Sequence, residues 1–143
     1  WSVFIDSGDC WLATYPKDNR RNDVEDITMY VAFFQRSMDP EISVLFDQDN
    51  HNVKDVEVRL AGKAYPLDFD EDTAYSAEAE NITIVKNMLT AEPTSLSFTN
   101  SDGKVTKLTV EYDGFRVAYN FTSKRCVFFK TNNLDGDRTK EPV

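Results

Sequence analysis

The chain has 143 residues, 41% of them hydrophobic, with 10 Phe, 6 Tyr and 2 Trp but only 5 Gly and 5 Pro. That length suits one domain, and so aromatic a composition excludes a disordered, collagenous or low-complexity chain. The formal charge is −9, from 25 acidic and 16 basic side chains; no run of basic residues offsets it, so nucleic acid and anionic lipid surfaces are not expected partners.

From the start, Trp1 to Ile5 and Cys10 to Tyr15 read as two short strands. The stretch from Pro16 to Asp26 is mostly charged and reads as an exposed loop that includes Lys17, Arg20 and Arg21. Ile27 to Phe34 is apolar at nearly every position, the mark of a strand covered on both faces, and Ile42, Val44 and Phe46 alternate in its expected neighbour. The apolar stretch that ends at Phe34 is far shorter than the roughly 20 residues needed to cross a bilayer as a helix, so no membrane span is expected.

Further on, Val56, Val58 and Leu60 alternate with charged residues, and Tyr65, Leu67 and Phe69 resume the alternation after Ala61-Gly62-Lys63, which predicts a hairpin. Leu96 and Phe98, a turn at Asn100-Ser101-Asp102-Gly103, then Leu108, Val110 and Tyr112 predict another. Eight strands in one modest chain point to a two-layer β-sandwich or a barrel, because each strand buries one face and must find cover for it.

Two segments break the period of two. From Ser76 to Leu89 the apolar residues Ala79, Ile82, Val85, Met88 and Leu89 follow a spacing near 3.6, with Glu78 and Glu80 at the start and Lys86 near the end, which predicts a helix. After Asp113-Gly114, Phe115, Ala118, Tyr119 and Thr122 share one side of a helical wheel, with Lys124 and Arg125 following. Phe115, Val117, Tyr119 and Phe121 also alternate, so a strand is the competing reading there. The domain is expected to span residues 1–129, with 130–143 as a polar tail.

Little in the sequence points to catalysis. His51 lies in Asp47-Gln48-Asp49-Asn50-His51-Asn52, which opens like a calcium loop but lacks Gly at the sixth position and an acid at the twelfth, Val58. A serine triad would have to use this single His51, and no Gly-x-Ser-x-Gly elbow presents a serine to it. Asp68, Asp70, Glu71 and Asp72 could supply an acid and a base only if one of them were desolvated, and so dense a run reads as a solvated loop. The sequence has no Gly-rich phosphate loop and no His-Glu-x-x-His helix, so neither a cofactor nor a metal is expected. Asn81-Ile82-Thr83 and Asn120-Phe121-Thr122 fit the glycosylation tripeptide, but each falls within an expected helix.

Cys10 and Cys126 lie near opposite ends and fit neither a redox pair nor a zinc set. Their spacing leaves open one disulfide or two buried free thiols in a cytosolic protein. The chain begins at Trp1 without a leader, as expected if a signal peptide has been removed.

Trp1-Ser2-Val3-Phe4 followed by Asp9-Cys10-Trp11-Leu12-Ala13-Thr14-Tyr15-Pro16 resembles the opening of the invasion-associated locus B family of bacterial exported proteins. Met29 to Phe34, Glu41 to Val44, Val56 to Val58, Ile84 to Met88, Gly114 to Ala118 and Lys124-Arg125-Cys126 resemble successive blocks of that family, so the resemblance covers residues 1–126. It implies an immunoglobulin-like β-sandwich, a helix ending near Cys126, a Cys10–Cys126 disulfide, a periplasmic or secreted address and an association with host-cell invasion or virulence. Where relatives carry Gly-Gly-Tyr-Pro and Ser-Ala-Arg-Gly turns, this chain has Asp47 to Asn50 and Thr99 to Gly103, which makes those surfaces more acidic.

Together these readings predict a noncatalytic exported domain that binds a protein or envelope component through exposed loops. Its candidate contacts are Lys17, Arg20 and Arg21 in one loop and Asp68, Asp70, Glu71 and Asp72 in another. The rivals are a hydrolase or ion-dependent enzyme built on the acidic loops, which requires converging, partly buried carboxylates, and a purely structural envelope module.

Overall fold

The computed structural model describes residues 1–37, 39–47, 52–90, 93–111, 113–126 and 128. Gln48, Asp49, Asn50 and His51 of the calcium-like motif, Tyr112 and residues 130–143 lie outside the described residues.

The alternating segments become strands β1 (Ser2–Asp6), β2 (Asp9–Thr14), β3 (Ile27–Phe33), β4 (Glu41–Phe46), β5 (Val53–Leu60), β6 (Lys63–Asp70), β7 (Thr73–Ser76), β8 (Thr94–Asn100) and β9 (Val105–Val110). Helix α1 (Glu78–Leu89) links β7 to β8, and α2 (Asp113–Ser123) follows β9. The mainly β expectation holds, with nine strands among the described residues instead of eight. All nine are antiparallel in one sheet of order β1-β2-β3-β4-β7-β6-β5-β8-β9, so a division into two separate sheets is not what the hydrogen bonding shows.

The sheet curls upon itself. Phe46 of β4 meets Phe98 of β8 with ring centroids 5.2 Å apart although three strands separate them in the ladder. The inner face thereby covers itself, and Leu12, Met29, Val31, Val44, Val58 and Leu96 are fully buried within it. Beyond β2, Lys17 exchanges two backbone hydrogen bonds of 2.8 Å with Thr109 of β9, a single rung that joins the two ends of the sheet.

β7 escaped the sequence reading because it is four residues long and only Ala74 of it is buried. Its brevity also explains how a proline is accommodated in the middle of the sheet. Ser76, the last residue of β7, lies opposite Leu67, so Pro66 sits just past the point where a neighbouring strand would need its missing N–H.

The hairpin turns are built from left-handed residues. Ser7 and Gly8 have φ of 54° and 93°, and Ala61 and Gly62 have 54° and 76°, the pattern of two-residue turns whose twist matches the flanking strands. Ala61 bears a Cβ cost there of about 1 kcal/mol. Ala61→Asn is therefore expected to raise stability by about 0.5–1 kcal/mol, read as a higher denaturation midpoint; an unchanged or lower midpoint would contradict the argument.

The helices cover one rim of the curled sheet. α2 keeps the expected face, burying Phe115, Ala118, Tyr119 and Thr122, so the helical reading wins over the strand and leaves Val117 71% exposed. α1 is turned from its expected face: Asn81, Ile84, Val85 and Met88 are buried, whereas Ala79 is exposed. The Ser76 hydroxyl donates to Asn81 Oδ1, which satisfies the polar head of that stripe. Both glycosylation tripeptides lie in helices, one with its Asn81 buried and the other with Thr122 buried and bonded to the carbonyls of Ala118 and Tyr119.

Past α2 the chain turns through hydrogen bonds from the Arg125 and Cys126 N–H groups to Thr122 O, bringing Cys126 to Cys10 at the start of β2. The two cysteines are paired in a disulfide with a Cα–Cα distance of 6.3 Å, and both are fully buried.

Candidate functional site

The seam that joins the sheet ends also shapes its outer surface. Successive strand residues point to opposite faces, so Leu12 and Val31 face the core while Phe4, Ala13 and Tyr30 face outward. Trp1 is held beside them by its indole N–H, which donates to the carbonyl of Glu111, and by an edge contact with Phe115 at 5.0 Å. Gly114 eases this approach, since a Cβ there would stand 3.3 Å from the indole ring and the ring would have to give by a few tenths of an ångström.

The result is a cleft of about 370 Å³ with aromatic walls formed by Trp1, Phe4, Tyr15 and Tyr30. Tyr15 is 44% exposed and Phe4 53%, so their faces remain available to a ligand. Lys17 and Glu111 contribute polar groups to the same lining. Two ion pairs, Lys17 with Asp23 and Arg21 with Glu111, frame the seam, and because each keeps one partner well exposed to water, each adds little stability.

The structure thus separates the first candidate loop into parts. Lys17 and Arg21 are drawn into the seam, whereas Arg20 remains on the exposed turn. The Asp18 carboxylate organises that turn by accepting the backbone N–H groups of Asn22 and Arg20. These bonds, Asn22 first, hold its pKa below the ordinary carboxylate value. The turn's share of stability is therefore present above the unfolded-state pKa and is lost as pH falls through the lower folded-state value.

The second candidate group occupies the β6–β7 hairpin. Asp68, Asp70, Glu71 and Asp72 are all exposed, Glu71 at the turn with φ of 62°. The end of β4 lies between the two candidate segments: Phe46 N–H donates to Asp72 O, and Asp47 N–H donates to Asp26 O. Neither the seam cleft nor the hollow at the start of α1 is lined by residues of both groups. Among the described residues, no three His, Cys, Asp or Glu side chains are grouped so as to hold a metal ion, and no described helix is long and apolar enough to cross a membrane.

A larger hollow of about 530 Å³ lies between the β3–β4 connection and the start of α1, with Arg36, Asp39, Glu41 and Glu78 on its walls. Among the described residues Tyr75 is its one aromatic side chain; of the charged groups around it Arg36 and Glu78 are exposed, and Asp39 and Glu41 partly so. The seam cleft has the stronger binding chemistry, because exposed aromatic faces gain more on desolvation than hydrated charges do.

The sequence reading missed Trp1, Phe4, Tyr15, Tyr30 and Glu111 as a group. Strand parity was the available signal, since it assigns Phe4 and Tyr30 to the face opposite Leu12 and Val31. Their meeting with Glu111 depends on the curl. The chain matches no protein-family model, no curated protein and no solved structure.

Proposed function

We propose that this chain is a noncatalytic binding domain that works outside the cytoplasm and recognises a component of the cell envelope, or a protein displayed there, through the seam cleft. The observation that carries this reading is the cleft itself, where four aromatic side chains and flanking charged groups come together on a rigid sheet. Such a surface offers apolar contact area with polar groups at its edge to fix orientation. The buried Cys10–Cys126 pair supports an oxidising address, in keeping with the resemblance to the invasion-associated locus B proteins. The exposure of Asp68, Asp70, Glu71 and Asp72 favours this reading over acid–base chemistry, because nothing desolvates one carboxylate relative to the others.

The test is co-sedimentation with purified bacterial envelope fragments, comparing the native chain with a Tyr15→Ala, Tyr30→Ala double variant. Retention of the native chain and a loss of about tenfold or more in the variant are expected if the two rings are binding hot spots. Equal retention of the two proteins, or none of either, would overturn the assignment.

A further inference from the structure

The two edges of the curled sheet are not equally protected. β9 carries Lys107, follows Lys104 and receives the Lys17 rung at Thr109. Lysines and added rungs of this kind are common guards against strand addition. β1 has no lysine, proline or bulge, and it exposes Phe4 by 53% and Ile5 by 46%.

The pairing register shows which backbone groups remain available. A two-residue turn at Ser7-Gly8 makes Asp6 and Asp9 the closing hydrogen-bonded pair, so Phe4 with Trp11 and Ser2 with Ala13 are also hydrogen-bonded pairs. The N–H and C=O groups of Val3 and Ile5 therefore point away from β2. Among the described residues, no strand pairs with that side of β1. Although β1 is only five residues long, an exposed edge that carries apolar side chains and unpaired backbone groups can accept another strand.

We infer that β1 is a self-association site, at which β1 of a second copy adds antiparallel about a twofold axis through Phe4. The two outward rungs lie symmetrically on either side of Phe4, so Val3 of each chain pairs with Ile5 of the other and all four backbone groups of each edge are used. This register sets Asp6 opposite Ser2 and avoids a like-charge pair. Phe4 meets its own copy at a non-hydrogen-bonded position, where opposed side chains approach most closely. A contact of five residues per strand belongs to the small, transient class of interfaces. With a charge of −9 on each copy, association strengthens as salt screens the repulsion.

Two variants test the inference. Phe4→Cys, oxidised at high protein concentration, is expected to give a disulfide-linked dimer several-fold faster than Val117→Cys, a control on α2 at a position that is more exposed than Phe4. Val3→Pro removes an outward N–H while sparing the bonds to β2, and in sedimentation velocity it is expected to abolish the concentration-dependent, salt-enhanced dimer of the native chain. A native chain that stays monomeric at millimolar concentration in high salt, or a Phe4→Cys chain that links no faster than the control, would overturn the proposal. Circular dichroism of Val3→Pro matching the native spectrum shows that the fold is retained; if it is not retained, the Phe4→Cys comparison decides alone.

Discussion

Replacing Cys10 and Cys126 together by Ala is expected to lower stability by about 4 kcal/mol, close to the roughly 4.7 kcal/mol that loop-closure entropy assigns to a bridge spanning about a hundred residues. The bridge encloses 116 positions of sequence, nearly all of the described chain, so it restricts the unfolded ensemble more than a local crosslink would. Its native position is also demanding. It holds the turn after α2 against the start of β2, where both sulfurs are fully buried. For a domain of this size the loss corresponds to a melting temperature lower by roughly 10–15 °C. Thermal unfolding of the variant against the native chain measures it, and thiol titration of the unfolded, unreduced native chain is expected to find no free thiol. Two titratable thiols, or equal melting temperatures, would refute the account.

Phe33→Ala carries the second large effect, a loss of about 3–5 kcal/mol. Phe33 ends β3 fully buried, directly opposite Cys10 in the ladder. Its ring centroid lies 6.0 Å from that of Tyr119 on α2 and 5.3 Å from that of Phe128 beyond the disulfide. Truncation leaves a void beneath the helix and the bridge at once, walled by the rings of Tyr119 and Phe128. Urea unfolding with an unchanged slope and a lower midpoint is the expected result. Because Phe33 and the bridge hold the same segment in place, the triple variant should depart from additivity, unlike Ala61→Asn in a remote turn. A loss below about 1 kcal/mol would mean that this corner is not packed as described.

Much of this fold was legible residue by residue. Strict alternation placed β5, β6, β8 and β9, and the 3.6 spacing of Phe115, Ala118, Tyr119 and Thr122 gave the buried face of α2, although an alternating strand competed there. The orientation of α1 was not legible, because its buried stripe begins at a polar residue. Asn81 earns that place only through the Ser76 hydroxyl. β7 lacked a pattern because four residues show one buried position. Strand order was hidden for a related reason: β4 leaves its sequence neighbour β5 and pairs with β7, a choice made by long-range packing. The candidate site was the least readable part. The charged residues of 16–26 were identified, but Lys17 and Arg21 have partners on and just beyond β9, about ninety positions away, so their structural use could not be read locally.

The rung between Lys17 and Thr109 has a consequence for how the protein is made. A chain that emerges from its N-terminus first presents β1 and β2 early, yet their neighbours across the seam, and the cysteine that Cys10 requires, are among the last described residues to appear. Folding must therefore wait for nearly the whole chain, with the first hairpin and its apolar side chains in contact with water meanwhile. Contacts so distant in sequence make for slow folding and long-lived exposed edges. The bond from Cys10 to Cys126 can form only after residue 126 has emerged.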